Sequence, residues 1–298
     1  MSNQIPSEVH ITHTSPLKPA ISAWQYFLND QGRSNFTIKS FGGDMHLLAS
    51  FLPPDKTVGQ ISTLDLNHFL DWMQKERGVP CSAKSLARRI TSIKSFFRWL
   101  HKNGVITTDP AEKILQRTVI SPLPQILTQE EQEKVLEAAD LFRSASSPDA
   151  RPYALLTLLL ATGIKKGECL GIHINHVELD SPNGAILFVR YASPRNRYKE
   201  RKISLPGDWV AVYNEYMSQY HPSDQVFPWS PRRLEYLLEE IGQKAGISKH
   251  LSFDMCRWTC AVNDWKDGIE PEKIRQKLGV SKIQYREISM KLRQLAEK

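Results

Sequence analysis

The segment YALLTLLLATG, residues 153–163, constrains the fold more than any other stretch of the chain. It is apolar around the whole helical wheel, so a helix built from it has no face to give to water and belongs inside a domain. It ends in Thr162-Gly163, and Lys165, Lys166 and Glu168 follow at once. A buried helix end followed by fixed cations holds those cations ready for an anion. The plainer alternative is that Lys165 and Lys166 are a solvated face.

The chain has 298 residues, enough for two domains of ordinary size. With 41% hydrophobic and 24% charged residues it has the composition of a folded globular protein. Its net charge is +7 and its isoelectric point about 9.1. That balance favours an acidic partner, nucleic acid first. Cys81, Cys169, Cys256 and Cys260 make no CxxC pair and have no histidine or acidic company at zinc-ligand spacing. They are expected to be reduced, buried thiols, and no metal or cofactor is expected. The N-terminus lacks a signal-like apolar core and no long apolar run occurs, so a cytoplasmic protein without membrane contact is expected.

Residues 1–17 are polar with two prolines and suggest a flexible tail. Residues 18–117 carry short amphipathic patterns, SAWQYFLND, Thr37 to Phe51, Asp65 to Gln74 and Ser82 to Lys102. Gly42-Gly43 weakens the second. In the last, Leu86, Ile90, Ile93, Phe97 and Leu100 recur at helical spacing, with Lys84, Arg88, Arg89, Lys94 and Arg98 largely off that face. Phe97 and Trp99 suit the core better than base stacking. Residues 118–127, TVISPLPQIL, are proline-bearing and nearly uncharged, an extended linker.

From 128 on, Thr128-Gln129-Glu130-Glu131 reads as a capped helix start, with a helix to about Phe142. Strands are expected at Ala185 to Tyr191 and Lys202 to Leu205. The turn between them, SPRNRYKER, carries Arg195, Arg197, Lys199 and Arg201, a cationic tip suited to phosphates. Helices are expected at Pro231 to Ala245, Phe253 to Asp267, Pro271 to Lys277 and Ser281 to Ala296.

An all-helical domain, a linker and a mostly helical domain with one basic hairpin resemble a tyrosine recombinase of the phage integrase or Xer type. TIKSF…DMHLLASFL and ARRITSIKSFFRWLHKNGVITTDPAEKI are similar to that family's core-binding domain. ATGIKKGECLGI resembles its TGLRxxEL segment, FDMCRWTCAV its HxLRHTFAT and IRQKLGVSKIQ its LGHSS segment. The resemblance implies a mainly α, two-domain clamp around duplex DNA. It also implies a tyrosine that attacks a phosphate, two arginines that hold the charged oxygens, a hairpin lysine that protonates the leaving oxygen and two histidine-type positions.

Position by position the chain departs from that pattern. The first arginine is Lys165, which keeps the charge but not the planar fork. The hairpin lysine falls at Asn196, with Lys199 nearby in a shifted register. The HxLR histidine is Asp254, the second arginine is retained as Arg257, the LGH histidine is Val280, and the tyrosine, nine residues on, is Ser289. Loss of a covalent nucleophile alone costs about a million-fold in another enzyme. The expectation is therefore a degenerate, catalytically inactive homologue. It would bind duplex DNA through Lys84, Arg88, Arg89, Lys94, Lys165, Arg195, Arg197, Lys199, Arg201 and Arg257. It would act as an architectural or regulatory factor for a mobile element, in recombination or integration, or in chromosome maintenance.

Two alternatives stand beside it. One is an active recombinase using Tyr285, one helical turn before Ser289, with Lys165, Lys199 and Arg257. The other is a protein-interaction scaffold without DNA binding. Tyr285, Ile288, Leu292 and Leu295 step along one helix face, either as a packing stripe or as a contact to another protomer or a partner recombinase. Asp254 lies three residues before Arg257 and could pair with it.

Overall fold

The computed structural model describes residues 10–79, 81–116, 122–182 and 184–297. The chain divides into two compact units, Met1–Ser121 and Pro122–Lys298. Among the described residues no helix is long and apolar enough to cross a membrane.

The first unit holds α1 (Leu17–Asp30), α2 (Asn35–Phe51), α3 (Thr63–Lys75) and α4 (Ala83–Lys102). Ser34, Ser62 and Ser82 start the last three by accepting a backbone N–H in the first turn. At Gly42, inside α2, the Gln25 side chain of α1 lies over the backbone where a Cβ would fall 2.0 Å from it. The core forms around Trp24, whose ring meets Phe96 edge-on at 5.3 Å and Phe41 in a stack at 6.0 Å. Met45, Phe69, Ile93 and Phe97 are buried with it. Phe97 is thus core, and Trp99 is half-buried against Phe27 and Phe96.

The expected tail divides. Residues 1–9 lie outside the described residues. Residues 12–16 do not hang free, because a turn at Thr12–Ser15 and backbone bonds from Val58 to Ser15 and from Gly59 to His13 fasten them to the unit, and Leu17 is buried.

In the second unit α5 (Gln129–Arg143) begins at Thr128, whose side chain and that of Glu131 cap each other's backbone. Next comes α6 (Arg151–Thr162), buried along Ala154, Leu155, Leu156, Leu158 and Leu159 as its composition requires, and packed by neighbouring helices on several sides. It ends at Gly163, in the left-handed region at φ 60°, and a Cβ there would meet Cys260 Sγ at 3.2 Å. The short α7 (Lys166–Leu170) follows, then β1 (Val177–Glu178), β2 (Ile186–Val189) and β3 (Arg201–Ser204). They form one antiparallel sheet in the order β1-β2-β3, with Val189 opposite Arg201. A 3₁₀ turn, Pro194–Lys199, forms the tip between β2 and β3.

The rest is α8 (Gly207–Tyr220), α9 (Pro231–Lys244), α10 (Phe253–Lys266), α11 (Pro271–Leu278) and α12 (Lys282–Ala296). Helix α8 went unexpected: its Trp-Val-Ala-Val-Tyr run has strand-like propensity, and packing of Trp209, Tyr213 and Tyr216 into the core overrides it. Residues 118–121 of the expected linker lie outside the described residues. Residues 122–127 are extended but anchored: Leu127 N–H donates to Thr259 Oγ1 at 3.0 Å, and Ile126 O accepts from Lys249 Nζ at 2.9 Å. The four cysteines are free, and three of them are buried.

Replacing Trp24 with alanine opens a large cavity at the centre of the first unit. A loss of about 3–5 kcal/mol in that unit's stability is expected, read as an early transition in urea denaturation followed by circular dichroism.

Candidate functional site

Chain reversals at the ends of α6, α11 and the β2–β3 tip gather the residues the sequence singled out. Lys165 is the N-cap of α7, and its backbone N–H donates to Glu168 Oε2 at 2.8 Å. Its side chain is half-buried. Burial, then the nearby charges of Arg257, Lys199 and Arg201, pull its pKa below the usual lysine value, against the opposing pull of Glu168. Lys166 lines the same concavity as Lys165 and is paired there with Glu235, 2.6 Å off.

Arg257, on α10, donates from Nη1 to Gly163 O at 2.5 Å and from Nη2 to Leu278 O at 2.6 Å. It joins the last residues of α6 and α11, and two of its five N–H donors are used in doing so. The expected pair with Asp254 does not form: those two nitrogens are turned to backbone carbonyls, and Asp254 is exposed in the first turn of α10. Lys165, Asp254 and Arg257 all line one concavity of about 610 Å³, with Arg232, Tyr236 and His250 on its other wall. The sequence reading missed this α9 wall. Its one signal was the polar side of a strongly amphipathic helix. Arg232 Nε donates to the Tyr236 hydroxyl at 2.7 Å.

At the tip, Lys199 Nζ donates to Asn196 Oδ1 at 2.9 Å. The side chain at the lysine-equivalent position therefore holds the lysine three residues later, whose charge is felt by Lys165. Arg195 and Arg197 are exposed beside it. Arg201 corrects the expectation of a DNA contact. It is 8% exposed and pairs with Glu168, 2% exposed, through Nη2 to Oε2 at 2.9 Å and Nη1 to Oε1 at 3.0 Å. Its Nε donates to Lys277 O at 2.6 Å, and the Tyr191 hydroxyl donates to Glu168. Burial raises the Glu168 pKa, but the Arg201 bonds and charge outweigh it and leave it at about 2.

Residues 125–288 match the model of the Phage integrase family, and residues 21–104 match that of the Phage integrase, N-terminal SAM-like domain. The chain belongs to the phage integrase family. It is 25% identical over 273 residues to the tyrosine recombinase XerD of Listeria innocua, covering 87% of this chain and 88% of that one. It is 24% identical over 269 residues to the tyrosine recombinase XerC of Oceanobacillus iheyensis, covering 86% and 85%. The fold is that of lambda integrase in a dimer bound to a COC′ core site, with a TM-score of 0.70, 17% identity and coverage of 91% and 77%. It is also that of XerH bound to a palindromic difH substrate, with a TM-score of 0.69, 17% identity and coverage of 87% and 78%.

In this member of the phage integrase family, the C-terminal positions have their own surroundings. Val280 is buried with Ile274, Leu278, Tyr285 and Leu292. The Ser289 hydroxyl donates to Arg286 O of its own helix at 3.1 Å. Tyr285 is 9% exposed, and its buried hydroxyl has no hydrogen-bond partner. Burial, then Glu272 and Asp264, push its pKa up. It does not line the concavity of Lys165 and Arg257. Leu292 and Leu295 are buried beside it and Ile288 is half-buried, all against this chain's own α10 and α11, so the stripe is occupied within the protomer.

In the first unit the basic helix also turns partly inward. Asp44, buried on α2, accepts from Arg88 Nη1 at 2.5 Å and from the Ser92 hydroxyl at 2.8 Å, and lies 3.6 Å from Arg89 Nε. Burial holds its pKa up, against Ser92 and the two arginines. Arg89 further donates to Cys81 Sγ at 2.9 Å, and Lys94 donates to Glu112 O at 3.1 Å. Arg89, committed to a buried carboxylate, is a packing residue here; Arg88 is tied to the same carboxylate at an exposed position. Lys84 stays exposed.

Because the folded pKa of Glu168 lies below its ordinary 4.5, its stabilising effect is complete above that value and is lost as pH falls toward 2. Acid titration of wild-type stability is expected to show a loss on the order of 3 kcal/mol over that window. Glu168→Gln should lack that loss and be less stable at neutral pH by about 3–5 kcal/mol, since it strands Arg201.

Proposed function

We propose that this chain binds duplex DNA and does not cut it through a tyrosine on α12. The observation that supports this reading is that Lys165 and Arg257 share a concavity while the Tyr285 hydroxyl is enclosed away from it, and on our reading of the sequence the family's tyrosine position is Ser289. The relatives named above are tyrosine recombinases, and lambda integrase and XerH are bound to DNA in their structures. A phosphate in the concavity would meet the Lys165 ammonium and the donors that Arg257 keeps, with Lys199 adding charge from the tip. Such a site would hold a backbone phosphate without activating an attacker, since the Ser289 hydroxyl is bonded to Arg286 O of its own helix. An architectural or regulatory role in recombination, integration or chromosome maintenance follows from binding without cleavage.

One observation favours a second reading, an active enzyme with a displaced nucleophile. Tyr236 lines the same concavity, and its hydroxyl is held by Arg232.

Duplex binding measured against salt, beside a denaturing gel for covalent adducts on a nicked substrate, separates these. The log–log salt slope should be steep, and replacing Arg195, Arg197 and Lys199 together by glutamine should reduce it by about 3. No adduct should form. An adduct lost in Tyr236→Phe would establish the active reading, and absence of any salt-dependent binding would leave only a protein-interaction scaffold. Tyr285→Phe should leave DNA binding unchanged and keep or raise stability by about 1 kcal/mol, since it removes an unpartnered buried hydroxyl.

A further inference from the structure

We infer that a second groove, between β3 and α11, binds unpaired nucleotides. This goes beyond the duplex reading while resting on the same nucleic-acid partner. The groove encloses about 580 Å³ and is lined by Tyr198, Lys199, Lys202, Ile269, Lys273 and Lys277 among others.

Its cations fall into two sets. Arg201 is neutralised by Glu168, Lys277 by Asp264 at 2.8 Å, and Arg275 by Glu272 at 2.5 Å. These form the wall. Lys199 donates only to the neutral Asn196 side chain among its described hydrogen bonds. Lys202 lies over the Phe188 ring at 5.0 Å, with no carboxylate paired to it among the described residues. Lys273 reaches Glu270 at 3.9 Å, both heavily exposed, a contact too loose and wet to quench its charge. Three lysines thus face the groove with charge to give, set against one exposed lining carboxylate, Glu200.

Beside them, Tyr198 stands at the mouth, 72% exposed, with Lys199 Nζ 5.2 Å from its ring centroid. Ile269, 43% exposed, is a further apolar lining residue. An open aromatic ring, an apolar rim and uncompensated lysines are what a base joined to phosphates requires. Size selects the form. The volume equals a cube about 8 Å on a side. That space suits a nucleotide or two and is far smaller than the body of a duplex.

The test is fluorescence anisotropy of the full chain with a labelled oligothymidylate, which has no duplex form, beside a labelled duplex. Tyr198→Ala should weaken oligothymidylate binding roughly 5- to 100-fold. Lys202→Gln with Lys273→Gln should lower the salt slope by about 1.4, near 0.7 for each phosphate contact on a single strand. Both variants alter exposed side chains, and circular dichroism should match wild type. Duplex affinity should hold in the lysine pair, and in Tyr198→Ala, which lies in the tip, it should fall much less than oligothymidylate affinity. If wild type fails to bind the oligothymidylate, or if the variants bind it as wild type does, the inference is overturned. Loss of duplex binding in wild type would instead sink the duplex reading, and the oligothymidylate arm would still decide the groove. An equal loss for both ligands in Tyr198→Ala would mean a general DNA contact and would also overturn it.

Discussion

The second unit depends on one buried ion pair. Glu168 joins the start of α7, through the Lys165 backbone, to Arg201 on β3, and Arg201 passes the link to α11 through Lys277 O. Three segments distant in sequence are held at one point, and the first of them carries Lys165 of the concavity. The arrangement leaves no room at Gly279, where a Cβ would fall 2.5 Å from Arg201 Nη1 and where φ is +60°. A glycine is required there for both reasons. Charges this deep are costly unless fully bonded, and Glu168 accepts from Arg201, Tyr191 and the Lys165 backbone at once.

That carboxylate also sets the electrostatics of the concavity. It is turned inward to Arg201, so Lys165, Arg257 and Lys199 repel one another across a partly desolvated space. The depressed pKa of Lys165 is the trace of this repulsion, after burial. A mobile anion entering the space relieves it. On the proposed reading, a phosphate there would be held without the fork of a second arginine. Asp254, Glu235 and Glu239, which line the same concavity, work against this and offset part of the gain.

Much of the fold was legible in the sequence because periodicity and caps agree. Helices α9 to α12 fall within a residue or so of their expected bounds, each opened by Ser or Pro at the cap or first turn. Helix α8 was not legible, since local propensity pointed to strand and only the core decides otherwise. The site was half legible. Spacing placed Lys165, Asn196, Arg257 and Ser289, but it could not show which charges are spent. Arg201 and Arg89 read as surface cations because sequence shows no partner; Glu168 and Asp44 lie 33 and 44 or more residues away. Nor could it show that the α9 wall, with Arg232 and Tyr236, faces the same space.

The pattern of retained and replaced positions follows from what the fold itself demands. Arg257 has a structural task in addition to any chemical one: its guanidinium bonds the carbonyls that end α6 and α11, and no lysine could span both in that planar geometry. Lys165 serves the fold through its backbone N–H, which any residue supplies, so its side chain is free to differ. Asn196 sits in an exposed tip, Ser289 satisfies its hydroxyl within its own helix, and Val280 adds apolar area to a cluster that a histidine would have to enter with a polar ring. Arg257 is the residue among them whose side chain ties helix ends together.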